Sequence, residues 1–151
     1  MSPISRYFIK AGLIYLVLGS GIGLLMALAA VPVGTLRIVH AHFNLLGFMA
    51  FFIFGVAYHI LPRFHGRLLY SENMAWVHFY LANFGLVGMA LSFVIRDPLL
   101  TEGLLGTAEA ASGTAAVTLP LAGVVSVAGI LLFVLNIWKS MAPLKPTPPQ
   151  G

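Results

Sequence analysis

The sequence predicts an all-α integral membrane protein, a bundle of four antiparallel spans with both termini cytoplasmic. Three observations carry this expectation. Of 151 residues, 60% are hydrophobic and only 8% charged, where a soluble domain carries roughly 25% charged residues. Four apolar segments, near residues 7–31, 35–61, 73–95 and 115–138, each exceed the ~20 residues that cross a bilayer as a helix. Each segment also keeps its small or polar residues at spacings of three and four, on one helical face. In lipid such residues mark helix–helix contact, because leucine gains nothing by leaving acyl chains.

The first segment opens with Arg6 and Lys10, and its stripe is Gly12, Tyr15, Gly19, Gly23, Met26 and Ala30. It ends Ala27-Leu28-Ala29-Ala30, which imitates a signal-peptide cleavage site. The apolar run is long and glycine-spotted for that role, so a retained helix is expected. The second segment aligns Arg37, His40, Asn44, Gly47, Phe51, Gly55 and Tyr58; the third, His78, Ala82, Gly85, Met89, Ser92 and Arg96. A connection from Asp97 to about Gly113 is expected on the outer side, followed by a fourth stripe of Thr118, Ala122, Ser126, Gly129, Phe133 and Asn136. Residues 1–141 thus form one four-span domain. Residues 142–151, with Pro143, Pro146, Pro148 and Pro149, read as an extended, disordered tail.

An even number of spans gathers Arg6, Lys10, Arg63, Arg67, Lys139 and Lys145 on one side, and Arg37, Arg96, Asp97, Glu102 and Glu109 on the other. The positive-inside rule makes the first side cytoplasmic, which for a bacterium means a multi-pass inner-membrane protein. The net charge of +4 comes from basic residues set singly at helix ends, so no nucleic-acid partner is expected. The absence of cysteine excludes disulfides, covalent haem attachment through Cys-x-x-Cys-His and thiolate metal sites.

The second segment carries the chemistry. His40 and His42 lie near one end of a bilayer-length helix and His59 near the other. Ionisable side chains at membrane depth point to function, although an interfacial histidine can also be satisfied by water and headgroups. Two residues apart, His40 and His42 point about 200° away from one another on a helix. His40 shares the interior stripe, whereas His42 shares a face with Leu46, Met49, Ile53, Val56 and Ile60 that should meet lipid or another subunit. The two cannot hold one metal together, but each could hold its own.

His40-Ala-His42-Phe-Asn-Leu-Leu-Gly47 followed by Gly55-Val-Ala-Tyr-His59-Ile-Leu-Pro62 resembles the tenth helix of the catalytic subunit of haem–copper oxidases and nitric oxide reductases. Ala75-Trp76-Val77-His78-Phe79 with Phe84-Gly85 resembles the eleventh. The resemblance implies that His40 and His42 are haem-iron ligands, on opposite sides of their helix, with the haem toward the outer membrane surface. It departs from the family where the first and fourth segments contain no histidine, so neither copper nor full reduction of oxygen is expected.

His59 lies seventeen residues beyond His42, about 25 Å at ~1.5 Å per residue, too far to share an iron with it. His78 enters from the same distant end. Met26 and Met89 lie at a depth comparable to the histidine pair, and Met with His is a known axial combination, though core methionines more often fill gaps. An open sixth position, or a histidine from a second copy across a two-fold axis, is the alternative. Arg37 and Arg96 at the outer edge are candidates to pair with haem propionates. The polar group Tyr58, His59, His65 and Arg67 at the other end requires no function.

The expectation is a membrane protein binding b-type haem non-covalently, oxidoreductase-like, for electron transfer or for binding NO or O2. Its expected partners are the bilayer, a second copy, and a redox partner or larger respiratory complex. Two alternatives stay open: a haem-free structural or assembly subunit of a respiratory complex, and a proton or metal pathway lined by histidines.

Overall fold

In the computed structural model, which describes residues 2–31, 33–97 and 108–142, helix α1 (Pro3–Ala27) begins at a helix-start pair. Ser2 caps it, its Oγ accepting from the Ser5 N–H at 3.4 Å, and Pro3 occupies a first-turn position where a missing N–H costs nothing. The helix therefore starts at Pro3 rather than near residue 7. The cleavage-like alanines form its end, with Ala29 in the left-handed region at φ 53°.

The second span, Leu36–Phe64, is a composite of helix α2 (Leu36–His42), a π-helical segment (Phe43–Ala50) and helix α3 (Phe51–Phe64). The sequence predicted one uninterrupted α-helix. Two side chains at the junction bond back to carbonyls four residues earlier: His42 Nδ1–H to Ile38 O at 2.9 Å and Asn44 Nδ2–H to His40 O at 2.9 Å. Such bonds compete with the backbone ladder at the point where it changes pitch. Pro62 then removes a backbone donor, and α3 ends at Phe64.

Helix α4 (Glu72–Arg96) is capped by Ser71, whose Oγ accepts from the Met74 N–H at 3.2 Å. Helix α5 (Ala108–Ser140) completes the set. Four helices are thus long and apolar enough to cross a membrane: Pro3–Ala27, Leu36–Phe64, Glu72–Arg96 and Gly113–Ser140. Residues 98–107 of the expected connection and 143–151 of the expected tail lie outside the described residues.

The small-residue stripes are where the helices meet. A Cβ on Gly12 would come 3.3 Å from the Phe48 carbonyl, and one on Gly47 would come 2.6 Å from Tyr15. Between α4 and α5, a Cβ on Gly85 would collide with Ser126 and one on Gly88 would lie 3.0 Å from Ala122. The Ser92 and Thr118 hydroxyls are 2.8 Å apart. Asn136 brackets Ser71, donating to its carbonyl at 2.7 Å and accepting from its N–H at 3.0 Å. Buried Asp97 at the end of α4 accepts from the Thr35 N–H at 3.1 Å, tying the start of α2 to the end of α4. The outward faces, by contrast, expose large apolar residues such as Ile14, Val17, Ile53, Leu121 and Val124, the surface a lipid solvent favours.

Candidate functional site

His40 and His42 leave one short helix toward different neighbours. The His40 ring lies over α1, where its Nδ1 is 2.7 Å from the Gly19 carbonyl. Since the carbonyl can only accept, Nδ1–H is the donor in this contact. The ring occupies space that only glycine leaves open: a Cβ on Gly23 would come 2.7 Å from Cε1 and 2.9 Å from Nδ1. Gly19 makes the same room for Asn44. His42 repeats the arrangement locally, with Nδ1–H donated to the Ile38 carbonyl. Its ring packs on Phe93 of α4, with centroids 5.2 Å apart.

Both imidazoles are half-buried, and neither Nε2 has a hydrogen-bond partner among the described residues. A histidine with one nitrogen donated to a backbone carbonyl and the other free is oriented as metal-ligating histidines are. Imidazole donors of this kind are chemically suited to an iron centre.

The sequence put His42 on an outward face. The structure turns it instead toward α4, which the Thr35–Asp97 bond draws against α2. As expected from their spacing, the two rings do not converge, one facing α1 and the other α4. Met26 is half-buried three residues beyond Gly23, and Met89 is buried four residues before Phe93. Arg37 and Arg96 are exposed, and no hydrogen bond joins either to an imidazole among the described residues. Arg96 borders a cavity of about 330 Å³ shared with Ala115, Leu119 and Pro120 of α5. An apolar cavity between the π segment, α3, α4 and α5, lined by Leu46, Ala50, Phe54, Ala82 and Leu86, holds about 110 Å³, too little for a porphyrin when small-molecule sites run ~300–1,000 Å³. Among the described residues, no three of His, Cys, Asp and Glu come together as a metal site.

At the other end of the same span lies a pair that sequence reasoning did not assemble. Tyr58 Oη and His78 Nδ1 are 2.9 Å apart, and both residues are buried. Phe54, Phe8 and Phe133 surround the imidazole at centroid distances of 4.7, 4.8 and 5.5 Å. His78 Nε2 is buried without a hydrogen-bond partner, and the rings around it offer only π faces, which are weak acceptors. Both residues stood on predicted interior stripes, which was the available signal. That they meet depends on how the bundle sets α3 and α4 around Phe8 and Phe133.

The family model for cytochrome c and quinol oxidase polypeptide I matches residues 3–148. The chain belongs to this oxidase family. It is 30% identical over 121 residues to the cbb3-type cytochrome c oxidase subunit CcoN1 of Stutzerimonas stutzeri, covering 71% of this chain and 25% of that one. It is 31% identical over 118 residues to cytochrome c oxidase subunit 1 of Rhodobacter capsulatus, covering 68% and 22% respectively. The chain therefore spans about a quarter of the length of these oxidase subunits. Family membership and four apolar helices together make it a multi-pass membrane protein.

Proposed function

We propose that this oxidase-family chain binds b-type haem through His40 and His42 and serves electron transfer or the binding of a diatomic gas, NO or O2. The observation that carries the reading is the pair of imidazoles whose Nδ1–H groups are committed to the Gly19 and Ile38 carbonyls, leaving both Nε2 lone pairs for iron. The bound group would supply one-electron chemistry or a gas-binding iron. The chain's own part is to fix tautomer and ring direction and to surround the site with apolar helices. Arg37 and Arg96 are the proposed partners for propionates, and Met26 and Met89 the proposed alternatives for a sixth ligand. A second copy completing the site is part of the proposal.

The spans are proposed to run antiparallel in the inner membrane with both termini cytoplasmic. Contacts in opposite numerical order support this, with Gly12 by Phe48, Gly19 by Asn44 and Gly23 by His40. So does the collection of Arg6, Lys10, Arg63, Arg67 and Lys139 at one end. The proton-relay reading has less support, since Phe8, Phe54 and Phe133 close the path around His78.

Absorbance and pyridine haemochrome spectra of the full chain, expressed with an adequate haem supply, test the proposal. A Soret band that is lost when both His40 and His42 become alanine is expected. A colourless protein, or a band that survives the double substitution, removes it; a colourless protein that co-purifies with larger respiratory subunits would instead favour the structural-subunit reading.

A further inference from the structure

The end of the molecule opposite the histidine pair carries a second recognisable feature. A cavity of about 80 Å³ opens between the start of α1, the end of α3 and the turn that follows, lined among others by Ser2, His59, Pro62, Arg63, Arg67 and Leu68. Its lining holds two guanidinium groups and an imidazole but no carboxylate. Arg63 Nη1 donates to the His59 ring, 2.6 Å from Nδ1 and in contact with Nε2. Among the described residues no carboxylate pairs with Arg63. The N-terminus of α1, at Ser2, adds the positive end of a helix dipole.

The neighbourhood of this cavity is not aqueous in character. Phe64, at the end of the second span, is 79% exposed, and Leu68, on the cavity's rim, is 90% exposed. Large apolar side chains left this bare, beside a cationic pocket and at the end of a membrane-crossing helix, suit a ligand that has an anionic head and an apolar body. Guanidinium groups match phosphate oxygens with planar, charge-assisted hydrogen bonds. Basic pockets between membrane helices are a recurring way of holding acidic lipid headgroups.

We infer that this pocket holds the phosphate of an anionic membrane phospholipid, with Arg63 and Arg67 on the phosphate and the acyl chains running past Phe64 and Leu68. The site is separate from His40 and His42 and stands whether or not haem binds there.

The test uses the full chain in dodecyl maltoside micelles, with thermal unfolding followed as phosphatidylglycerol, phosphatidylcholine or inorganic phosphate is added. Phosphatidylglycerol should raise the melting temperature saturably, and the other two should not. The Arg63→Gln/Arg67→Gln variant should keep its helical circular dichroism and bind phosphatidylglycerol about tenfold more weakly, while Arg63→Lys retains part of the effect. An equal response to phosphatidylcholine would show that charge is not read and would overturn the inference. So would inorganic phosphate reproducing the whole shift, which would make the ligand a free anion, or a double variant that responds like the parent. Should the double variant not fold, native mass spectrometry of the parent chain decides: retained phosphatidylglycerol in preference to phosphatidylcholine supports the site, and equal retention refutes it.

Discussion

The two ends of the helix bundle hold histidines in opposite physical states. At the His40 and His42 end, each imidazole has one nitrogen fixed by a backbone carbonyl and the other without a partner among the described residues, and each ring is half-buried. At the other end, His78 of α4 is wholly buried, has Tyr58 as its one polar contact among the described residues, and is surrounded by phenylalanines. The first arrangement is the one proposed to receive a ligand from outside the chain. The second is closed and helps lock α3 to α4. The contrast teaches that a histidine inside a membrane protein is read by what its second nitrogen faces, not by depth alone.

The sharpest way to break this comparison is spectral. His40→Ala and His42→Ala should each remove or reshape the Soret band, and His78→Leu should leave its position unchanged. If His78→Leu alone abolished the band, the functional roles of the two ends would be reversed.

Next in size is the stability of the closed pair. Tyr58→Phe and His78→Leu should each destabilise the fold by about 0.5–2 kcal/mol, the range found for polar contacts between membrane helices. The double variant should lose less than the sum, because removing both partners leaves no orphaned polar group. Additive losses in a denaturant titration would mean that the Tyr58–His78 contact contributes nothing specific.

The smallest expected effect concerns the glycine beneath His40. Gly23→Ala puts a methyl group 2.7 Å from the His40 Cε1 position, so the ring must move and haem retention should weaken without a general loss of helix content. Gly21→Ala, with nothing within 4 Å of its Cβ, should change nothing. Equal haem retention in the two variants would show that the glycine cradle does not position the ligand.

Much of the fold was legible beforehand. The apolar runs gave four spans because bilayer thickness sets a minimum length, and the small-residue stripes marked contacts later seen at Gly12, Gly47, Gly85 and Ser92. The divergence of His40 and His42 followed from two residues of helical rotation. The π-helical stretch from Phe43 to Ala50 was not legible, since its cause is side chains bonding back to carbonyls at one junction. Nor was the turning of His42 onto Phe93, which depends on how α2 is held to α4 through Asp97.

Membrane crossing, the faces on which the helices pack, and the placing of imidazoles at opposite ends of one span are all written in the residue order, because hydrophobicity, periodicity and rise per residue are local properties. What each imidazole touches is a property of the assembled bundle: the Gly19 carbonyl for His40, Phe93 for His42 and Tyr58 for His78. Those neighbours come from other helices or other turns, and the crossing of packed helices is set by side-chain interlocking that no single segment encodes.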